Sequence, residues 1–277
     1  MKLKFIEEKA MKVVMLVTTL LVFLFVGSIL YTIVKNGWGA MNWEMISSLP
    51  GGGFYIGKEG GLLNAIVGSL YIVGASTVLG LAVSIPVVFY LNVYLKKNSK
   101  RGSFARLAYD VLFGIPSIVY GAFAFTIMIY LGLKTSLAGG IIVITLLIIP
   151  IFIRSMDEIA RELPQDMLNA SYSLGATRYE TIKVVVRQIA PGIATATLLS
   201  IGRAIGDAAA GYTDNIPTSL GQPAATLPLA VFFQLSSPIP AVQERAYAAA
   251  LILTIIVLIL SILGRIITNR FSRNKIQ

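Results

Sequence analysis

Long apolar runs, separated by short charged segments, are the feature that most constrains how this chain can fold. A helix needs about 20 apolar residues to cross roughly 30 Å of hydrocarbon. Six runs are candidates, at residues 13–34, 62–91, 107–131, 137–153, 191–210 and 246–267. A further apolar stretch, Leu227–Leu235, is too short to span and is expected to be interfacial or re-entrant. We therefore predict an all-α integral membrane protein with about six transmembrane helices.

The basic residues predict how these helices are oriented. Eighteen of the 23 Lys and Arg residues lie in four segments: the N-terminus, residues 96–106, residues 154–187 and residues 265–275. With six spans, all four segments fall on the same side of the membrane. Because basic residues concentrate on the cytoplasmic side, both termini are predicted to be cytoplasmic. The expected organisation is a cytoplasmic segment at 1–12, a transmembrane domain at 13–270 with a cytoplasmic loop at 154–190, and a cytoplasmic tail at 271–277.

The composition excludes several classes of function. Only 13% of the residues are charged, against about 25% in a soluble domain. The chain has no Cys and no His, so it has no thiol nucleophile, no thiolate metal site and no His-dependent triad. We expect no metal, no cofactor and no catalytic residue. The net charge of +10 comes from clusters between apolar runs, so nucleic-acid binding is not expected. Residues 52–59 nearly match a phosphate-binding loop, but Glu59 replaces the Ser or Thr that would hold magnesium.

The fifth apolar run contains two opposite charges. Arg203 and Asp207 are four residues apart, so a helix places them on one face within reach of each other. A charge at the bilayer centre costs at least about 2.5–3.5 kcal/mol, so such residues usually face a cavity or a partner. Either the pair neutralises itself between packed helices, or Arg203 binds an anion with its planar guanidinium. In the third run, Pro116 either breaks the helix or produces a packing kink, and Ser117 and Tyr120 beside it are candidates for lining a cavity.

The loop between the fourth and fifth runs has the pattern of a helical hairpin. A helix is expected to start at residues 163–164 and to end or bend at Gly175. An amphipathic segment at 177–189 follows, before Pro191 opens the next span. Asn169-Ala170-Ser171, followed after three residues by Gly175, resembles the EAA loop of ABC-transporter permeases. Asn169 and Ser171 stand where that family has Glu and Ala. The resemblance implies that Asn169, Ala170, Ser171 and Gly175 form the coupling loop that fits into a cleft on an ATPase subunit.

Two more segments indicate which ABC-transporter permeases this chain resembles. Residues 113–121 (FGIPSIVYG) and 202–207 (GRAIGD) are similar to the membrane subunits of the phosphate-specific ABC importer, more to the PstA type than to the PstC type. Asp207 stands where many relatives have Glu. The resemblance covers nearly the whole chain from the second run onward. It implies the type I ABC importer permease architecture and a multi-pass location in the prokaryotic cytoplasmic (inner) membrane, in contact with membrane lipid. The implied partners are a second, homologous permease, two copies of a cytoplasmic ATPase and an extracytoplasmic phosphate-binding protein.

The resemblance predicts a permease subunit that translocates inorganic phosphate and leaves ATP hydrolysis to the separate ATPase. A permease for another oxyanion (sulfate, molybdate or phosphonate) is an alternative, because the choice of phosphate depends mainly on the resemblance. A stand-alone secondary transporter or channel that uses Arg203 and Asp207 as an ion or proton relay is a second alternative. Such a protein would not need the hairpin. An intramembrane enzyme has little support, since the chain offers no His, no Cys and no plausible second carboxylate within the membrane to form a dyad with Asp207.

Overall fold

Helices make up most of the chain. The computed structural model describes residues 2–51, 59–96, 99–130, 135–208, 211 and 213–272. The near match to a phosphate-binding loop at 52–59 lies outside these residues, except for Glu59. The helices in chain order are α1 (Lys2–Gly37), α2 (Trp43–Ser47), α3 (Leu63–Phe89), α4 (Lys100–Gly114), α5 (Ser117–Tyr130), α6 (Leu137–Arg161), α7 (Gln165–Ser173), α8 (Arg178–Asp207), α9 (Leu227–Leu235) and α10 (Pro240–Ser272). A π-helical turn, Tyr90–Tyr94, extends α3, and two short strands, β1 (Pro50–Gly51) and β2 (Glu59–Gly60), pair antiparallel.

Among the residues that the structure describes, five helices are long and apolar enough to cross a membrane, namely α1, α3 with its π-helical turn, α6, α8 and α10. Helices α4 and α5 form a sixth span if the two are taken together. The prediction of an all-α membrane protein with about six spans is therefore confirmed. The apolar stretch that was expected to be too short to span forms the nine-residue helix α9.

The third predicted span is not a single helix. Helices α4 and α5 meet at an angle of 94°, at a point here called the α4–α5 bend. Ile115 has extended backbone angles, with φ −72° and ψ 129°, which is the conformation favoured before a proline. Pro116 also lacks the N–H that would continue the helix. The span predicted at 107–131 is thus divided between two helices, and of the two alternatives for Pro116 the structure shows the break.

Helices α6 and α8 are both longer than their apolar runs. α6 continues through Pro150 to Arg161, and α8 begins at Arg178 and continues through Pro191. The segment predicted at 177–189 and the fifth span are therefore one helix, and the expectation that Pro191 opens a new helix was wrong. The reason is a buried stripe that crosses Pro191 without interruption. Its residues recur every three or four positions: Thr181, Val185, Ile189, Gly192, Ala196, Ser200 and Ala204.

Helix α6 is at the centre of the core, between α3 and α8. Phe152 and Ile148 of α6 are completely buried. Gly80 of α3 faces Phe152 so closely that an added Cβ would be 2.9 Å from the ring. Helix α10 packs against α8, α9 and α1. The apolar span of α1 has no buried residues, so most of its surface is left for lipid or another subunit.

The bundle has two ends that differ in charge. The basic end contains the π-helical turn, the start of α4, the end of α6, helix α7 and the start of α8; the opposite end contains α2, the two strands and α9. Gly37, at the end of α1, lies against the backbone of Tyr247 near the start of α10. The start of α1 and the end of α10 therefore belong to the basic end. The positive-inside rule assigns this end to the cytoplasm, and this orientation stays a prediction.

Candidate transport pathway and docking hairpin

Arg203 and Asp207 form an ion pair on the last turns of α8. Nε of Arg203 donates to Oδ2 of Asp207 at 2.6 Å. The side chain of Arg203 is 50% exposed and that of Asp207 is 26% exposed, whereas Ala204 between them is buried. Among the described residues, no neighbour lies within 4 Å of a Cβ placed on Gly202 or Gly206. In the described part of this chain, the surface of α8 at these two glycines is therefore open.

A groove beside this pair reaches the α4–α5 bend. Its volume is about 440 Å³, and both Ser117, the first residue of α5, and Asp207 line it. Tyr120 is not among the residues that line the groove. Its hydroxyl donates to the carbonyl of Leu112 at 2.9 Å and so joins α5 to α4 across the bend. The structure thus brings Ser117 and Asp207 to one groove and engages Tyr120 at the bend. The remaining lining residues are Ile118, Gly121, Ala122, Phe125, Val143, Ile144 and Leu147.

The predicted coupling loop forms a helical hairpin made of α7 and the start of α8. After α7, Gly175 has a φ of +81°, the left-handed conformation with which many helices end. The N–H of Ala176 donates to the carbonyl of Ser171 at 3.2 Å and closes the turn. Thr177 then caps α8. Its hydroxyl accepts from the N–H of Glu180, whose carboxylate accepts from the N–H of Thr177 at 2.8 Å, forming a capping box.

The outer surface of this hairpin, here called the docking hairpin after its predicted role, is largely exposed. Asn169, Ala170 and Gly175 are exposed, and Ser171 is half-buried. The hydroxyl of Ser171 lies 3.2 Å from that of Thr181 and connects α7 to α8. In α7, only Leu168 is buried. The four residues predicted for the coupling loop therefore lie on one hairpin, and three of them are accessible to another protein.

The structure adds a site that the sequence analysis did not identify, centred on Asp157 near the end of α6. The carboxylate is completely buried and accepts hydrogen bonds from three side chains. Arg106 of α4 donates through Nε at 2.9 Å and Nη2 at 3.2 Å, and the hydroxyl of Tyr109 donates at 2.7 Å. Nδ2 of Asn92, in the π-helical turn, donates at 2.6 Å. We call Asn92, Arg106, Tyr109 and Asp157 the Asp157 cluster.

One sequence signal could have indicated that Asp157 is buried and needs partners, although not which residues those partners are. Asp157 follows the buried residues Ile153 and Met156 and precedes Ala160, so it occupies the buried face of α6 at helical spacing. A carboxylate at such a position needs hydrogen-bonded partners, because burying an unpaired charge is very costly.

A second group of charges lies one turn earlier on α6. The guanidinium of Arg154 is 3.7 Å from a carboxylate oxygen of Asp110 and 3.1 Å from one of Glu158. It also lies over the ring of Phe113, 4.6 Å from the ring centroid. Asp110 and Phe113 belong to α4. Helix α4 is therefore attached to the end of α6 at two successive points.

A cavity of about 580 Å³ separates the Asp157 cluster from α7. Asn92 and Arg106 line it on one side, and Gln165 and Leu168 of α7 line it on the other. Over the residues that the structure describes, no three Asp or Glu side chains come together in a group that could hold a metal ion.

Comparison with known proteins defines the family. The sequence profile of the binding-protein-dependent transport system inner membrane components matches residues 76–276. The chain belongs to this family. It is accordingly a multi-pass component of the inner membrane with a role in transport.

Individual relatives of this transport component are similar over most of their length. The phosphate transport system permease protein PstA of Pasteurella multocida is 33% identical over 245 residues, which are 86% of this chain and 86% of that protein. The phosphate transport system permease protein PstA 1 of Mycobacterium tuberculosis is 34% identical over 206 residues, which are 72% of this chain and 67% of that protein.

Solved structures share the fold of the transport component at low sequence identity. The MetNI methionine ABC transporter, in an inward-facing conformation, matches with a TM-score of 0.64 and 20% identity, over 76% of this chain and 95% of that chain. A bacterial ABC transporter involved in the import of the acidic polysaccharide alginate matches with a TM-score of 0.60 and 14% identity, over 96% of this chain and 98% of that chain. The predicted architecture of an ABC importer permease is confirmed.

Proposed function

We propose that this transport component is the permease subunit of an ATP-driven importer of inorganic phosphate. The observation that supports this most strongly is the 33% identity, over 86% of both chains, to the phosphate transport system permease protein PstA of Pasteurella multocida. In this proposal the chain forms half of the pathway, together with a second, homologous permease. Two copies of a cytoplasmic ATPase hydrolyse ATP, and an extracytoplasmic phosphate-binding protein delivers the substrate.

Arg203 and Asp207 are proposed to act in the substrate pathway. The guanidinium of Arg203 is half exposed, and its planar donors match the oxygen atoms of phosphate. The N-terminus of α5, at Ser117, opens on the groove that Asp207 lines, and the positive end of a helix dipole favours anions. A single guanidinium cannot surround a tetrahedral anion, so the second permease is expected to complete the site.

Asp207 has two roles that fit its position, although a carboxylate repels an anion. It can neutralise Arg203 while the pathway is empty, or it can accept a hydrogen bond from a protonated oxygen of phosphate. The second role would select against sulfate, which carries no proton near neutral pH.

The docking hairpin is proposed to contact the ATPase through Asn169, Ala170, Ser171 and Gly175. Its exposed surface at the basic end and the left-handed turn at Gly175 support this assignment. A transporter driven by an ion gradient would have no use for such a surface.

The test is reconstitution of the complete transporter in liposomes with its binding protein. Uptake of radiolabelled phosphate and phosphate-stimulated ATP hydrolysis are measured, with sulfate, molybdate and phosphonate as competitors. We expect uptake that requires ATP and is inhibited by unlabelled phosphate only. Preferred uptake of another oxyanion would contradict the substrate, and uptake without ATP would contradict the importer class.

Variants of the charged pair test its role in the pathway. We expect Arg203→Gln to abolish uptake, and Arg203→Lys to impair it, because lysine keeps the charge but loses the two-point geometry. Asp207→Asn should reduce phosphate uptake, with weaker rejection of sulfate if the hydrogen-bonding role is correct. Arg101→Gln, an equal change of charge on an exposed residue of α4, is the control. Parental uptake by the double variant Arg203→Met/Asp207→Leu would show that the pair serves only packing.

A further inference from the structure

Asp157 lies at the junction between the helices around the groove and the docking hairpin. It is four residues from the end of α6, and only residues 162–164 separate α6 from α7. The N–H groups of Glu162 and Leu163 donate to carbonyl groups in the last turn of α6. Because this connection is short and held by hydrogen bonds, a displacement of α7 also displaces the end of α6.

Helix α4 is attached to the same end of α6. The bidentate contact between Arg106 and Asp157 consists of charge-assisted hydrogen bonds, which are about twice as strong as neutral ones. Separating the two would leave the buried carboxylate of Asp157 without its opposite charge, which is strongly unfavourable. The contact of Arg154 with Asp110 is more exposed and adds a weaker second attachment. Helix α4 must therefore follow the end of α6.

The other end of α4 leads to the groove. From Arg106 to Gly114 the helix extends about 12 Å, at 1.5 Å per residue. After the α4–α5 bend, Ser117 lines the groove with Asp207, and the hydrogen bond from Tyr120 holds the start of α5 against the end of α4. The cavity of about 580 Å³ beside α7 leaves space for α7 to move.

We propose that the Asp157 cluster makes α4 the connection through which the docking hairpin changes the groove. When the ATPase displaces α7, the end of α6 moves, α4 moves with it, and Ser117 shifts relative to Asp207. Asp157 and Arg106 are positioning residues in this proposal, because they act through α4 without touching the substrate. The proposal rests on the proposed function, since it takes α7 as the surface that the ATPase moves.

The absence of cysteine from the chain allows a direct test. Ser117→Cys places a single thiol in the groove, and the complete transporter is reconstituted in liposomes with cysteine-free partners and without added phosphate. The rate of labelling by a water-soluble maleimide is measured with vanadate in every sample, first without nucleotide and then with ATP. We expect ATP to change this rate, and Asp157→Asn to remove the change while the ATPase still co-purifies and hydrolyses ATP. Arg101→Gln, on the exposed side of α4, should keep the full change.

Two milder variants keep the test decisive if Asp157→Asn does not assemble. Arg106→Lys retains the charge without the bidentate geometry, and Tyr109→Phe removes one hydrogen bond and no charge. Each should partly reduce the change that ATP causes in the labelling rate of Ser117→Cys. The proposal is wrong if assembled Asp157→Asn, or both milder variants in its place, keep the full change. It is also wrong if ATP does not alter the labelling of Ser117→Cys in the parent. Because the readout is the labelling of a thiol in the groove and not the transport of a substrate, an error in the substrate assignment would appear in uptake and not here.

Discussion

Gly175 offers a sharp test of the docking hairpin, because its backbone and its surroundings make different demands on a side chain. Its φ of +81° is costly for most residues, with a strain of about 1–2 kcal/mol for alanine. Asn and Asp tolerate this conformation better than other side chains. No described atom lies within 4 Å of a Cβ placed on Gly175. The Cβ of Ala, Asn or Asp at position 175 would therefore not collide with the described part of the chain.

The order in which Gly175→Ala, Gly175→Asn and Gly175→Asp lose uptake distinguishes backbone strain from contact with the ATPase. If the shape of the backbone alone matters, Gly175→Ala is the most impaired variant. If the ATPase lies against this surface, Gly175→Asn and Gly175→Asp are more impaired, because overpacking costs about 1–3 kcal/mol. That cost corresponds to an affinity that is lower by about 5-fold to 150-fold. We expect Gly175→Asn and Gly175→Asp to be more impaired than Gly175→Ala. Uptake should be abolished in Gly175→Asp because this variant also introduces a charge.

The assay measures phosphate uptake and co-purification of the ATPase, together with the amount of permease in the membrane. All three variants should reach the membrane, since a strain of about 1–2 kcal/mol is small against a typical stability of about 5–15 kcal/mol. Gly27→Ala in α1, where an added Cβ also has no described neighbour within 4 Å, is the control and should be unaffected. Normal uptake by Gly175→Asp would refute the docking assignment. A larger defect in Gly175→Ala than in Gly175→Asn would show that only the shape of the hairpin matters.

Two further predictions concern orientation and packing. A reporter fused after Glu162 should lie in the cytoplasm, and a reporter fused after Ser219 should lie on the extracytoplasmic side. The reverse would put the docking hairpin on the wrong side for a cytoplasmic ATPase. Gly68→Ala in α3 brings a Cβ into collision with the carbonyl oxygen of Ala225. Thermal unfolding in detergent should show a loss of about 1–3 kcal/mol. Gly74→Ala in the same helix has no neighbour within 4 Å in the described structure and should be neutral or slightly stabilising, so an equal loss in both variants would contradict this packing.

The spans could be predicted from the sequence, but the ends of the helices could not. Apolar runs report where the chain is in hydrocarbon, whereas a helix continues as long as its backbone hydrogen bonds and its buried face continue. α8 begins at Arg178 and not at Pro191 because the buried stripe extends past the proline into the polar segment. α10 begins at Pro240, six residues before its predicted apolar run, for a similar reason: Val242 is buried in its first turn.

The charged residues of the candidate site were predictable to different degrees. Arg203 and Asp207 are four residues apart in one helix, so helical geometry alone places them in contact. The Asp157 cluster joins residues that are 51 and 65 positions apart, Arg106 and Asn92 to Asp157. No local pattern encodes such a contact. It depends on how α3, α4 and α6 pack, and on the break at Pro116 that lets α4 lie against α6.

The two aspartates differ in burial, and that difference fits them for different tasks. Asp157 is completely buried with three hydrogen-bonding partners, and breaking a buried pair costs about 3–5 kcal/mol. Asp207 is 26% exposed and pairs with the half-exposed Arg203, so the described part of the chain encloses this pair far less than it encloses Asp157. In the proposed pathway, an incoming anion would replace Asp207 at the guanidinium of Arg203, and the exposure of both side chains leaves room for this exchange. Arg106 has no such exchange open to it, because its carboxylate partner is out of reach of solvent. The same pairing of Arg with Asp thus suits a contact that changes in each transport cycle at the groove, and a permanent attachment of α4 at the end of α6.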